Sequence, residues 1–380
     1  MAKNIVICAD GTGNKFCNKN TNVVKLYSAL DLSDPTRQIA YYHGGLGTMG
    51  APGALSQWSK RWTKTRGLAF GYGLTDAIGH SYSFLMDTFE EGDRIYLFGF
   101  SRGAYTVRAL SGMLHMFGLI RPRDYNLVDY ATEMLKTKQD AGTFGVAADF
   151  KQTFSRDCRP HFTGVWDTVS SVGWIWDPVH VPYTAKNPDL CIGRHAVAID
   201  ERRCFFRQNL WGVGLPNQDI KQVWFAGVHS DVGGGNPEGE SGLAKISLEW
   251  MLYEACKFGL DIDGRKVEEI LGYTGGNHVP PNAADTMHNS LNDAWLLLEP
   301  LPHRYIDMRS NPPRTRVRFP VGQRREIPPR ATVHDSVNQR IALGLGYDPP
   351  NLPQNRTAEP WVRWNQDGAG IRTRTGATQT

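Results

Sequence analysis

The sequence predicts an α/β protein, a doubly wound, mostly parallel sheet with helices on both faces. Three observations predict it. Short apolar, β-branched runs recur along the chain, and each ends in a loop rich in Gly, Asp, His or Ser. Stretches with helical spacing of apolar residues lie between them, and such alternation is the pattern of parallel βαβ units. Composition agrees: 41% of the 380 residues are hydrophobic and 21% charged, an ordinary globular balance, and 40 Gly with 22 Pro leave material for long sheet-edge loops.

Residues Asn4–Ala9 read as a buried strand that runs into Asp10-Gly11-Thr12-Gly13-Asn14, a tight loop. Asn22–Leu30 reads as a short helix with Thr21 as its cap. Gln38–Tyr42 is a second strand ending at His43-Gly44-Gly45, and 49–66 is irregular. Leu68–Glu90 has helical periodicity. Ile95–Phe100 is the strongest strand, Ser101 follows it at once, and Arg102–Phe117 is helical. Phe162–Trp166 and Val223–Val228 are further strands, ending at Asp167 and at His229-Ser230-Asp231, and Ile246–Leu260 is an amphipathic helix.

These elements place one catalytic-type domain over 1–349. Insertions at 119–160 and 173–221 are long enough to cap the C-terminal edge of the sheet. Residues 350–380 read as a polar, disordered tail.

The charge balance is mild, +4 with pI ≈ 8.6. It lacks the concentrated basic face of a nucleic-acid binder, so no nucleic-acid partner is expected. Arg314, Arg316, Arg318, Arg324, Arg325 and Arg330 make the C-terminal third more basic. That stretch reads as a solvated surface, with peripheral contact to anionic headgroups as the rival reading. The six cysteines show no CxxC spacing, which argues for reduced core residues and against a zinc knuckle or redox pair. The N-terminal apolar run is too short for a cleaved leader, and no run approaches 18 apolar residues. The expectation is a cytoplasmic protein, or one exported without a cleaved signal peptide. Oligomeric state is not readable from the sequence.

Gly99-Phe100-Ser101-Arg102-Gly103 fits G-x-S-x-G. In the α/β-hydrolase type of sheet this pattern forms a strained strand-to-helix turn. Small residues flank the Ser because Cβ atoms would collide where the chain doubles back. The pentapeptide alone is common. Its position directly between an apolar strand and a helix makes it specific, against the rival of a glycine-rich turn with an incidental serine.

A nucleophilic serine needs a base and a group that orients the base. The chain order Ser, acid, His is met by Ser101, Asp167 and His229, each at the end of a strand and so on one sheet edge. His43, His195 and His334 compete as the base, and Asp200 and Asp231 as the acid. Asp231 has the rival role of bracing the Gly233-Gly234-Gly235 loop. The backbone N–H of Arg102, with that of Gly11 or Thr12, would face a developing oxyanion. Asp10 would hold its own loop. A second reading gathers Asp10, Asp167, His229 and Asp231 around a divalent metal, without any tight ligand spacing to support it. A third is a non-catalytic binding protein on the same scaffold.

Several motifs together carry a family resemblance. They are Asp10-Gly11-Thr12-Gly13-Asn14, Thr21-Asn22-Val23-Val24, Tyr41-Tyr42-His43-Gly44, Gly99-Phe100-Ser101-Arg102-Gly103-Ala104-Tyr105 and Gly164-Val165-Trp166-Asp167-Thr168-Val169. Asp200-Glu201-Arg202-Arg203 and Gly227-Val228-His229-Ser230-Asp231-Val232-Gly233-Gly234-Gly235 complete the set. To about Pro353 the chain resembles the α/β-hydrolase domain of the first class of type VI secretion lipase effectors. The resemblance implies a Ser–Asp–His triad and hydrolysis of phospholipid acyl esters without a cofactor. Ser101, His229 and Asp167 match its motifs. The chain departs at His43, where family members usually carry Asp, and it stops soon after the catalytic domain. The expected partner is a lipid or small ester, with an acyl wall drawn from Trp166, Trp174, Trp176, Phe205, Phe206 and Trp211.

Overall fold

A computed structural model gives the fold. It describes residues 2–11, 19–45, 68–137, 140–169, 173–174, 177–178, 181–204, 206–291, 303–307, 314–318 and 321–364. The strands, in chain order, begin with β1 (Asn4–Ala9), β2 (Gln38–His43) and β3 (Arg94–Phe100). The hairpin strands β4 (Leu119–Ile120) and β5 (Ser155–Arg156) precede β6 (Pro160–Trp166). A second hairpin, β7 (Gly173–Trp174) and β8 (Asp177–Pro178), leads to β9 (Ile192–Ala198) and β10 (Asp219–Phe225). The hairpin β11 (His303–Asp307) and β12 (Arg314–Arg318) precedes β13 (Thr332–His334) and β14 (Thr357–Glu359). The helices are α1 (Asn22–Ala29), α2 (Leu68–Thr88), α3 (Arg102–Phe117), α4 (Asn126–Lys136), α5 (Ala141–Phe154), α6 (His229–Gly233), α7 (Gly242–Lys257), α8 (Gly264–Ile270) and α9 (Asp335–Ala342).

Eight strands form one sheet in the order β14-β13-β10-β9-β6-β3-β1-β2, and every neighbouring pair is parallel. The doubly wound architecture is therefore present, and the main sheet is parallel throughout. The chain starts at β1, steps to β2 on one side, then returns to β3 on the other. Helices α1 and α3, which follow β1 and β3, lie on opposite faces of the sheet, and between such strands an open α/β sheet forms a crevice at its C-terminal edge.

The strands are apolar on both faces because both faces are covered. Ile5 and Ile7 of β1 and Ile95 and Leu97 of β3 pack with α2 and α3. Val6, Cys8, Tyr96 and Phe98 point the other way, into the core made with α1, α7 and α8. Thr21 caps α1 by accepting from the Val24 amide, as its sequence position predicts.

Three expectations need correction. Segment 119–160 does not overhang the sheet edge. Its helices α4 and α5 pack on α2 and α3 in one core, with Phe150 against Phe117 at the end of α3 far from the C-terminal edge. Segment 173–221 is not wholly a cap either, because β9 lies inside the sheet between β6 and β10. Arg194 and His195 hide this strand in the sequence by breaking its apolar run. Both are buried and matched: Arg194 by Glu254 and Asp219, His195 by Gln222 and the Thr168 amide. Finally, the tail is ordered to Trp364. Strand β14 extends the sheet, and Trp361 and Trp364 seal the face over α7. There the indole N–H of Trp361 and the backbone N–H of Trp364 donate to the buried Glu249 carboxylate, at 2.8 and 2.9 Å. Residues 365–380 and the irregular stretch 49–66 lie outside the described residues.

Among the described residues no helix is long and apolar enough to cross a membrane. Among the described residues, Cys8, Cys158, Cys191 and Cys256 are free thiols.

Two predictions follow from this packing. Trp364 is 4% exposed, so Trp364→Ala should lower unfolding stability by about 3–5 kcal/mol in urea titration. A loss below about 1 kcal/mol, the range of an ordinary surface change, would contradict a structural tail. Burial pushes both His195 and His334 from 6.5 down to about 3. Each is neutral in the folded chain while its unfolded counterpart takes up a proton below about pH 6.5. Stability is thus fully present above that pH and declines as pH falls toward 3, by up to about 1.4 kcal/mol per pH unit for each group. His334 caps α9 by accepting from the Ser336 amide. His334→Asn keeps a capping acceptor and should make the acid slope shallower by one proton, and an unchanged slope would contradict this origin.

Candidate active site

Strand β3 delivers Ser101 to the crevice edge, and the next residue opens α3. Ser101 has φ 59° and ψ −121°, a conformation that L residues avoid and that persists only where the surroundings impose it. Its amide donates to the Trp166 carbonyl at 3.1 Å, tying the turn to β6. The first turn of α3 runs directly against the end of β1. A Cβ on Gly103 would stand 2.2 Å from the Ala9 carbonyl oxygen, so only glycine fits there. Arg102 is the first residue of α3, where a helix leaves its N–H groups without intrahelical acceptors.

Asp167 follows β6 and is fully buried, with φ 38°. His229 begins α6, four residues after β10, and is 6% exposed. Strand β9 lies between β6 and β10, so these two strand ends are not neighbours. Asp167 reaches across the end of β9, where the Ala198 amide donates to Oδ1 at 2.9 Å. His229 Nδ1 then lies 2.5 Å from Asp167 Oδ2. An ionised carboxylate only accepts, so Nδ1 carries the proton and Nε2 is the basic nitrogen.

The imidazole is held by two aromatic rings. Phe100, the residue before Ser101, lies with its ring centroid 4.5 Å from that of His229, and Phe206 meets it edge-on at 4.8 Å. The close approach of α6 to Phe100 requires Gly233, where a Cβ would fall 1.9 Å from the Phe100 ring.

Two residues outside the sequence-based set complete the arrangement. Arg325 is 6% exposed, and its two Nη atoms meet Asp167 Oδ1 and Oδ2 at 2.5 and 3.0 Å. The reading of Arg325 as part of a solvated basic surface is therefore corrected. Its basic neighbourhood in sequence masks a buried ion pair formed over a separation of 158 residues. Burial alone would raise the Asp167 pKa, but the Arg325 charge and the His229 hydrogen bond hold the carboxyl far below the usual range. Glu201 accepts the His229 amide at 3.2 Å, the Ser290 hydroxyl and a two-point contact from Arg203. Burial opposes its ionisation, yet the Arg203 contact brings it down to about 2. The signal was present in the motif Asp200-Glu201-Arg202-Arg203. Burial lowers the pKa of His229 itself, against the opposing pull of Asp167.

The remaining candidates fall elsewhere. Asp10 accepts from the Gly11 amide at 2.6 Å, the Thr21 hydroxyl at 2.7 Å and the Tyr42 hydroxyl at 2.9 Å, and so braces its loop. The Gly11 amide is thus turned toward Asp10 in this arrangement, and Thr12 lies outside the described residues. Asp231 accepts from the Val228 amide and from the amide and ring of His288, and is bound to Asn236, which pins the glycine loop. Asp200 accepts from the Gly227 amide and the Tyr347 hydroxyl. Among the described residues Asp167 and His229 are in contact while Asp10 and Asp231 are held by other partners, and the four do not gather as a metal-holding group. Trp166 belongs to the core, Trp211 packs on buried His195, and Phe206 is the residue of the expected acyl wall that touches the site. Trp176, Phe205 and the side chain of Trp174 are outside the described residues.

A recess of about 330 Å³ opens beside Phe206. Its walls carry five arginines, Arg202, Arg203, Arg207, Arg324 and Arg325, against Glu201 and Glu326.

Comparison with known proteins places this geometry. The chain is 38% identical over 221 residues to Uncharacterized protein YEL023C of Saccharomyces cerevisiae, which covers 54% of this chain and 32% of the yeast protein. It is similar, at 18% identity and a TM-score of 0.39, to a solved structure described as an uncharacterized protein from Pseudomonas aeruginosa, over 70% of this chain and 47% of that one. The family model for the T6SS phospholipase effector Tle1-like catalytic domain matches residues 3–254, a span that holds Ser101, Asp167 and His229. The chain therefore belongs to the Tle1-like family of T6SS phospholipase effector catalytic domains.

Proposed function

We propose that the protein is a serine hydrolase that cleaves the acyl esters of phospholipids through an acyl-enzyme on Ser101. The single observation that carries this reading is the strained turn at Ser101 on the sheet edge, directly after Phe100, whose ring lies against the His229 imidazole with its Nδ1 fixed by Asp167. Ser101 Oγ attacks the ester carbonyl, and His229 Nε2 takes its proton. His229 then returns the proton to the leaving alcohol, and water releases the acyl group by the same route. Asp167 holds the tautomer and stabilises the imidazolium that forms. Arg325 keeps Asp167 ionised throughout, so the proton rests on His229 rather than on the carboxylate. The Arg102 N–H at the start of α3 faces the oxyanion.

Family membership supports a phospholipid as the substrate. The recess beside Phe206 supports it independently: Arg325 and Arg203 are turned to Asp167 and Glu201, but Arg202 and Arg324 also line it, and guanidinium groups match the geometry of the phosphodiester that a phospholipid carries close to the scissile ester.

Hydrolysis of a fluorogenic phospholipid and of a short-chain nitrophenyl ester tests this reading. Ser101→Ala should abolish both activities, and Asp167→Asn should lower kcat by roughly 10,000-fold through the wrong tautomer. Turnover by Ser101→Ala equal to that of the wild type would contradict the mechanism, and activity on the short ester alone would remove the phospholipid. Because burial lowers the pKa of His229, kcat/KM for the wild type should rise with pH and reach half its plateau below the ordinary histidine value of about 6.5. A midpoint above that value would contradict the assignment of His229 as the base.

A further inference from the structure

A second cluster of chemically competent side chains lies on the same sheet edge, two strands from Ser101. His43 is the last residue of β2 and pairs in register with Ala9, the last residue of β1. Strand β1 separates β2 from β3. At about 4.8 Å per strand, the end of β2 stands roughly 10 Å from the turn at Ser101. Helix α2 covers the face of β2 that carries Tyr41 and His43, and Tyr41 stacks on Phe84 of that helix. One turn apart on α2, Asp76 and His80 project from the same side, at the i, i+4 spacing that brings two ligands together. His80 Nε2 lies 3.7 Å from Asp76 Oδ1, and the rings of His43 and His80 are 6.2 Å apart. One ligand atom from each of His43, Asp76 and His80 falls within 4.8 Å of the other two.

We propose that His43, Asp76 and His80 form a binding site for a divalent first-row transition-metal ion of the Zn²⁺ type. The donor set selects the class of ion. Two imidazoles with one carboxylate suit zinc, cobalt or nickel, whereas calcium and magnesium require mostly oxygen ligands. Three protein ligands leave a coordination position for water or for a ligand arriving at the crevice. Metal–ligand bonds of about 2.0–2.2 Å need the three donor atoms to draw in to roughly 3.3 Å from one another. The geometry allows this, because the side chains of Asp76 and His80 are 53% and 60% exposed, which leaves room for a change of rotamer, while half-buried His43 is the fixed point. The ring of His43 is also hydrogen-bonded to the Gly44 backbone, the kind of outer contact that orients a ligating imidazole. The proposal does not depend on the ester chemistry assigned to Ser101, and its test reads the metal directly.

The full chain, stripped with a chelator and dialysed, is titrated with Co²⁺ followed by optical absorbance and with Zn²⁺ followed by calorimetry. The expected result is one equivalent per chain, with ligand-field bands that Zn²⁺ displaces. Binding should be weakened about tenfold or more in His80→Ala and in Asp76→Asn. Both variants alter exposed side chains, so their metal-free melting temperatures should equal that of the wild type, and only the wild type should melt higher in Zn²⁺. No saturable binding by the wild type would overturn the proposal. So would equal binding by wild type and variants, which would place the metal on other histidines, or a preference for Ca²⁺ over Zn²⁺.

Discussion

Helix α3 starts directly against the end of β1, with no room for a side chain at Gly103. That close approach is the constraint on which the rest of the site depends. It forces Ser101 into its positive-φ conformation and sets the hydroxyl-bearing residue on the edge of the crevice. It also places Phe100 where the imidazole of His229 can lie on it, and the bare Cα of Gly233 lets α6 come close enough. The parallel sheet supplies the rest, because every strand presents its C-terminal end to one edge.

A strained turn is useful only if the groups around it are held as firmly. Asp167 has no exposure to water, and an isolated buried carboxylate would take up a proton rather than stay charged. Arg325, the Ala198 amide and His229 together offset that cost. Arg325 comes from a segment distant in sequence, so the ionisation of Asp167 depends on the chain beyond β10 being folded back. Glu201 plays a parallel part, bridging Arg203, Ser290 and the amide of His229. The positions of Asp167 and His229 are thus set by contacts made far from Ser101 in the chain.

The doubly wound sheet was legible in the sequence because strands buried on both faces read as continuous apolar runs, as in Ile5–Ala9 and Ile95–Phe100. Ser101, Asp167 and His229 were legible as candidates because each follows such a run and so must sit on the same edge. What escaped was buried polarity. Strand β9 carries Arg194 and His195, whose partners come from Asp219, Gln222 and Glu254, and no local pattern announces them. Arg325 lies in a basic stretch whose composition suggests surface, yet its guanidinium is buried on Asp167. The segment after Pro349 is rich in Pro, Asn and Thr, but two tryptophans anchored on Glu249 are enough to order it to Trp364. In each case a long-range contact overrides the local signal.

The proposed activation of Ser101 as a nucleophile is tested most directly by covalent capture. The protein is treated with a fluorophosphonate ester, and the adduct is located by peptide mass spectrometry in the wild type and in His229→Ala. An activated Ser101 should carry one phosphonyl group in the wild type and almost none in His229→Ala. An unmodified Ser101 in a wild-type protein that still hydrolyses esters, or an adduct on another residue, would contradict it.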